Sequence, residues 1–153
     1  MRNEILRMLE NNSRIDLHDL AIMLGTDESM VLEEIEKMGV PYEKLPGTGL
    51  IAIIEGGKPG KNKILRADID ALPLQEETEN LKQPKVCVSE IPGRCHACGH
   101  DAHTANLLGV ANYISDHRTE FCGTIKFLFQ PAEELLEGAK LVCQSGVLDG
   151  TDY

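Results

Sequence analysis

Twelve residues from Arg94 to Ala105, Arg-Cys-His-Ala-Cys-Gly-His-Asp-Ala-His-Thr-Ala, hold a density of metal-binding side chains that an ordinary protein surface does not require. Three of the chain's five histidines (His96, His100, His103), two of its five cysteines (Cys95, Cys98) and the carboxylate of Asp101 fall within nine residues. Thiolate and imidazole are the ligands that zinc and similar transition ions prefer. Two other chemistries use the same residue types. A closed structural zinc site needs four ligands, usually from two paired clusters, and Cys87, Cys122 and Cys143 stand singly. A redox Cys-x-x-Cys pair has no need of a crowd of histidines. The pattern therefore favours a catalytic metal site.

Two carboxylate pairs extend this chemistry. Asp68 and Asp70 follow an apolar run ending at Ala67, and strand alternation sends both to one side, where they can face a metal cleft; two aspartates capping a turn is the alternative. Glu133 and Glu134 come directly after Gln130-Pro131-Ala132, an abrupt exit from a strand, and are expected at the start of a helix. A glutamate pair there is also what a helix dipole favours with no ligand at all. His103 lies one turn after His100 if the helix has begun, a position where packing or hydrogen bonding is commoner than ligation.

The elements that must position these groups read as strands and helices in alternation. Strands are expected near 50 to 54, 63 to 67 and 124 to 129, with a turn over 55 to 60. Ala105, Leu107, Leu108, Val110, Ala111 and Ile114 make the apolar face of a helix reaching about His117. Leu135, Leu136, Ala139 and Val142 mark another, ended by Gly146. Between Gln75 and Gly93 the chain is polar and reads as a surface flap, with Val86 to Val88 as its one short strand.

The first forty residues differ. Three apolar stripes at helical spacing (Ile5, Leu6, Leu9; Leu17, Leu20, Ala21, Leu24; Val31, Ile35, Met38) predict three short helices, stopped by Gly39-Val40-Pro41. Residues 1–38 resemble the helix-turn-helix of leucine-responsive and asparagine-responsive transcriptional regulators. Four basic against nine acidic side chains over residues 1–40 oppose phosphate approach, so a packing or interaction module is expected and DNA recognition is not. The whole chain repeats that bias, with a net charge of −10 over 153 residues, which disfavours nucleic acid and anionic membranes as partners. No apolar run reaches the roughly 18 residues of a membrane span, no signal-peptide pattern opens the chain, and the odd cysteine count fits a reducing cytoplasm.

Four stretches in order, Arg66-Ala-Asp-Ile-Asp-Ala-Leu-Pro73, His96-Ala-Cys-Gly-His-Asp-Ala-His103, Phe129-Gln-Pro-Ala-Glu-Glu134 and Gly146-Val-Leu-Asp-Gly150, resemble the motifs of the aminoacylase-type di-metal amidohydrolases. That family includes hippurate hydrolase, N-acetyldiaminopimelate deacetylase and the hydrolases of indole-acetyl amino acids. The resemblance implies Cys98, His100 and Glu134 as metal ligands and Glu133 as the general base that takes a proton from the attacking water. It implies Asp70 behind the ligands as an orienting carboxylate, with Asp101 and His103 in support. It also implies two divalent ions in the full-length family (zinc, manganese or cobalt) and an N-acyl amino acid as substrate.

The resulting expectation is an α/β fold in two parts: a helix-turn-helix-like segment over 1–38, and over 39–153 the N-terminal part of a metallohydrolase catalytic domain with a mixed sheet and flanking helices. The family places further histidine ligands and a lid domain downstream, so a fused, truncated or mispredicted gene is expected, nearly silent in catalysis. It is expected to associate with itself or with a complementary fragment. The competing expectation is a regulatory or interaction protein carrying a non-catalytic remnant of the hydrolase.

Overall fold

The computed structural model describes residues 28–45 and 48–153. Helix α1 (Glu28–Lys37) leads into three strands, β1 (Tyr42–Lys44), β2 (Leu50–Glu55) and β3 (Lys58–Asp68). A long connection reaches α2 (His100–Asp116), followed by a single 3-10 turn (Arg118–Glu120), β4 (Cys122–Gln130) and α3 (Gly138–Ser145). The first two helices expected from the N-terminal stripes lie outside the described residues, and so does most of the helix-turn-helix resemblance.

The four strands form one sheet in the order β1-β2-β4-β3. β1 and β4 run antiparallel to β2, while β3 and β4 are parallel neighbours. A parallel pair needs a crossover, and the 69–99 connection with α2 supplies it. Strand alternation then sorts the apolar residues. Leu50, Ala52 and Ile54 face the same way as Phe127 and Phe129, and bury against Leu107, Leu108 and Ala111 of α2 and Val31 and Ile35 of α1. Leu128 points to the opposite face and packs with Leu45 and with Val142 of α3. Helices thus cover both faces, and the stripe Val31-Ile35, assigned from sequence to the N-terminal segment, shares the main core of the sheet.

Several local expectations change. The turn foreseen over 55–60 shrinks to Gly56 and Gly57, because Lys58 already pairs with Cys122 and Asn62 with Thr124 across a register shift. Pairing with β4 overrides the turn-like Pro-Gly sequence, as tertiary context commonly does for strands. Val86 to Val88 form no strand: Val86 is exposed, and the connection instead closes through isolated bridges Leu72–Cys95 and Glu79–Pro84. The helix expected from Leu135 begins only at Gly138, and α2 begins earlier than its apolar face, at His100. Gly146 ends α3 as expected, in the left-handed conformation at φ 78. Beyond it, Asp152 and Tyr153 lie along the outer edge of β3, with Asp152 N–H donating to the Asn62 carbonyl at 2.8 Å and Ile64 N–H to that of Tyr153 at 2.9 Å.

Candidate metal centre

The parallel strands β3 and β4 end side by side, at Asp68 opposite Gln130, and α2 starts beside them. Open α/β sheets place their ligands at such strand ends. Gly99, at φ 78, turns the chain into α2 with a backbone that other residues rarely adopt, so that His100 is the first helical residue. The Leu72–Cys95 bridge, with N–H to O distances of 2.9 and 3.1 Å, ties the 96–99 segment to the stretch just after Asp70.

His100 is buried and its two nitrogens have different tasks. Nδ1 lies 3.0 Å from the Asp70 backbone carbonyl. A carbonyl only accepts, so Nδ1 donates there and Nε2 is the nitrogen left to meet other groups. Nε2 faces the glutamates, 3.7 Å from Glu133 Oε2 and 3.9 Å from Glu134 Oε1. The Asp70 side chain braces the other side, its Oδ2 accepting the Glu134 backbone N–H at 3.0 Å. Thr104, one turn into α2 and buried, places its hydroxyl 2.8 Å from the His100 carbonyl and 3.1 Å from that of Asp68, joining helix to strand end.

Glu133 and Glu134 do not open a helix. They sit in a turn flanked by two non-glycine residues in left-handed conformation, Ala132 (φ 55) and Leu136 (φ 57), closed by Glu137 and Gly138 N–H groups that donate to the Ala132 carbonyl at 3.3 and 3.0 Å. Gly138 is obligatory there, since a Cβ would lie 1.8 Å from the Pro131 carbonyl oxygen. The turn leaves Leu135 and Leu136 72% and 87% exposed, against the expectation that both pack on a helical face. Left-handed backbone in non-glycine residues costs on the order of 1 kcal/mol each, and such strain collects where a site demands a geometry.

Of the residues singled out from sequence, His100, Glu133 and Glu134 form one group whose donor atoms all lie within 4.8 Å of one another. Asp68, His100 and His103 form a second such group, with His103 Nδ1 3.9 Å from Asp68 Oδ2 and the two imidazoles stacked at 5.5 Å. Cys98 stands outside both groups, exposed and beside Glu134. The Glu134 carboxylate raises the thiol pKa above its usual value, and the negative charges of Glu133 and Asp70 act in the same direction. A cation among these groups would reverse that effect, because a coordinated thiol is deprotonated. Asp101 is spent locally, its Oδ1 accepting the Ala102 N–H at 2.8 Å.

The donor set fits a divalent transition ion. Separations of 3.7 and 3.9 Å between an imidazole nitrogen and two carboxylate oxygens are about half an ångström wider than the roughly 3.3 Å of tetrahedral ligands with bonds near 2 Å, a gap that small carboxylate rotations close. Asp70 Oδ1, buried without a hydrogen-bond partner among the described residues, adds negative potential that a cation would offset. Sequence reasoning missed Thr104, Arg66 and Gln130. Arg66 donates through Nε to Gln130 Oε1 at 2.7 Å and through Nη2 to Asp68, bracing the two strand ends. The available signal was positional: Arg66 and Asp68 share a strand face, and Thr104 follows His100 by one helical turn.

Residues 64–153 match the profile of Peptidase family M20/M25/M40. An N-acetylcysteine deacetylase of Bacillus subtilis (strain 168) is 48% identical over 118 residues, 77% of this chain and 29% of that protein. The IAA-amino acid hydrolase ILR1-like 5 of Arabidopsis thaliana is 46% identical over 131 residues, 82% of this chain and again 29% of the relative. Among solved structures, the YXEP protein of Bacillus subtilis, described as a dinuclear metal binding peptidase, superimposes with a TM-score of 0.75 at 36% identity, over 88% of this chain and 40% of that one. The chain thus spans less than a third of the length of these curated relatives.

Proposed function

We propose, from the premise that this chain belongs to peptidase family M20/M25/M40, that its strand-end site is part of a metal-dependent amidohydrolase centre acting on N-acyl amino acids. The observation that carries the reading is Nε2 of His100 facing Glu133 and Glu134 at 3.7 and 3.9 Å, with Asp70 bracing both sides. Cys98, His100 and Glu134 would hold the ion, and zinc, manganese and cobalt all suit a thiolate, imidazole and carboxylate set in some degree. When bound, it would polarise an amide carbonyl and make water a usable nucleophile near neutral pH.

Glu133 is the general base of this proposal. Its side chain is 38% exposed against 23% for Glu134, so it is the carboxylate that meets solvent and can cycle a proton. Asp70 holds the Glu134 backbone and fixes the His100 tautomer, a positioning role. His103 and Asp68 support the same corner from α2 and β3. The deacetylase and amino acid hydrolase names of the relatives give the substrate class proposed here, an amide between an acyl group and an amino acid.

Duplex DNA has no place in this account. On α1, Lys37 is tied to Glu33 at 2.7 Å and Glu34 at 2.9 Å, and exposed Glu33 and Glu36 leave an acidic surface. All five cysteines are free, which supports a reducing compartment such as the cytoplasm. No helix among the described residues is long and apolar enough to cross a membrane.

Calorimetric titration with zinc tests the ligand assignment. Cys98→Ala, His100→Ala and Glu134→Gln are each expected to weaken binding at least tenfold, while Glu133→Gln stays within about threefold of the parent. Unchanged affinity in Cys98→Ala and His100→Ala would overturn the assignment.

A further inference from the structure

The long connection from β3 to α2 has almost no regular secondary structure, yet its hydrogen bonds are nested like the rungs of a hairpin. At its base, Leu72 and Cys95 exchange N–H to O bonds of 2.9 and 3.1 Å. The next rung joins the Gly93 N–H to Gln75 Oε1 at 2.9 Å. Further out, the Lys85 N–H reaches the Thr78 carbonyl at 2.9 Å and the Asn80 N–H that of Gln83 at 3.0 Å, on either side of the Glu79–Pro84 bridge. Each rung encloses the one beyond it. The connection is therefore an arm that folds back on itself, with Leu81 fully exposed at its tip.

The Glu76 carboxylate holds the middle of this arm. Its Oε2 accepts the Ser89 N–H at 2.6 Å and its Oε1 the Lys85 ammonium at 3.1 Å, so one side chain ties the outgoing half to the returning half at two points. The Glu76 and Lys85 side chains are only 17% and 21% exposed, unlike an ordinary surface ion pair, which adds little to stability. Withdrawing a carboxylate from water is tolerated when its oxygens are satisfied, and deleting one side of such a pair leaves the other uncompensated.

Both roots of the arm carry residues of the metal centre. Asp70 stands two residues before Leu72, and Cys98 three after Cys95. His100 is fixed by the helix it starts and by the Asp70 carbonyl, and the Glu134 backbone by the Asp70 side chain. Cys98 is placed differently. It lies in the turn that the Gly99 N–H closes on the His96 carbonyl at 3.0 Å, and that turn hangs from the Leu72–Cys95 rung.

We infer that Glu76 is a positioning residue for the metal centre: by latching the two halves of the arm it keeps the Leu72–Cys95 rung closed and Cys98 within reach of the ion. The inference rests on the amidohydrolase reading above for the role of Cys98, and on the arm's own hydrogen bonds for the role of Glu76. Glu76 belongs to neither group of converging donors and acts through the backbone it holds.

Hydrogen exchange on the metal-free protein tests the latch by itself. Glu76→Ala is expected to speed exchange at the Leu72 and Cys95 amides about tenfold or more, while amides of β2 and β4 keep the parent's rates. Glu76→Gln, which keeps an acceptor for Ser89 without the charge for Lys85, should fall between the two. Unchanged rates at Leu72 and Cys95, or equal acceleration throughout the sheet, would overturn the inference. Cobalt loading then reads the consequence at Cys98. In Glu76→Ala the cobalt–thiolate absorption should fall by about half or more relative to the visible bands that His100 and Glu134 sustain, and Glu76→Gln should restore part of it. A thiolate band of full strength in Glu76→Ala would overturn the link to Cys98. A parent protein without that band defeats the metal assignment and with it the role at Cys98, while the exchange rates still decide whether Glu76 latches the arm.

Discussion

Two carboxylate pairs face each other across the end of the sheet, and they are built differently. Asp68 and Asp70, at the end of β3, are held in place: Asp68 is buried and bonded to Arg66, and Asp70 takes the Glu134 N–H on its side chain and the His100 ring on its carbonyl. Glu133 and Glu134, after β4, sit on a turn with left-handed residues at each end and remain partly open to solvent. The contrast separates two tasks that look alike in sequence. In the function proposed above, Asp70 fixes geometry, and the glutamates meet the ion, the water and the substrate. A carboxylate that must move a proton needs an environment in which it can do so, and a carboxylate that orients others needs the reverse.

The contrast can be broken from either side. The largest effect is expected from Gly138→Ala, since the new methyl would sit 1.8 Å from the Pro131 carbonyl and 2.9 Å from Gln130 Nε2, with backbone on the crowded side. A urea-unfolding midpoint lowered by the equivalent of about 2–3 kcal/mol is predicted, together with loss of zinc binding, because the whole glutamate turn must shift. Next comes the scaffold pair. Asp70→Ala leaves the Glu134 N–H without its acceptor while keeping the backbone carbonyl that meets His100, for an expected cost of about 1–3 kcal/mol in the same assay and a ten- to hundredfold drop in zinc affinity. Glu133→Gln, by comparison, should change stability by no more than about 0.5 kcal/mol, as partly exposed side chains outside hydrogen-bonded networks generally do. Equal destabilisation by the two substitutions would erase the distinction between scaffold and reactive pair.

The smallest effect sharpens it. Leu136 is exposed and held at φ 57, where glycine is at ease and leucine is not. Leu136→Gly should leave zinc affinity unchanged and shift stability upward by less than about 1 kcal/mol, relief of the left-handed strain being partly offset by glycine's larger loss of freedom on folding. A clear loss of stability would mean that the leucine packs on something the turn needs.

Much of the fold is legible in the amino-acid sequence alone. β2, β4 and α2 are long, apolar and periodic, and their existence follows from Leu50-Ile-Ala-Ile-Ile54, from Ile125 to Phe129 and from the stripe through Leu107, Leu108 and Ala111. What escapes is decided by partners distant in sequence. Tyr42–Lys44 has no strand pattern and becomes β1 only because β2 offers it an edge. Lys58 to Gly60 reads as the end of a turn and is a strand because β4 pairs with this stretch from Cys122 onward. The site divides in the same way. Its ligand types and spacing stand out in Cys98, His100 and the two glutamates, whereas the bracing by Thr104, Arg66 and Gln130 depends on which strand ends meet, and nothing local announces that. The left-handed turn at Glu133-Glu134 escapes because leucines at 135 and 136 favour a helix on propensity, and the requirements of the turn prevail over that preference.

The claim on which the rest depends is that Cys98 joins His100 and Glu134 on one ion, although it stands outside the two groups of converging donors. Cobalt substitution reads this directly, since a cobalt–thiolate bond gives a charge-transfer absorption that nitrogen and oxygen ligands do not. The parent protein is predicted to show that band on cobalt addition, and Cys98→Ser to lose it while keeping weaker visible bands from a cobalt still held by His100 and Glu134. A charge-transfer band that persists undiminished in Cys98→Ser would place another thiolate on the metal and contradict the account.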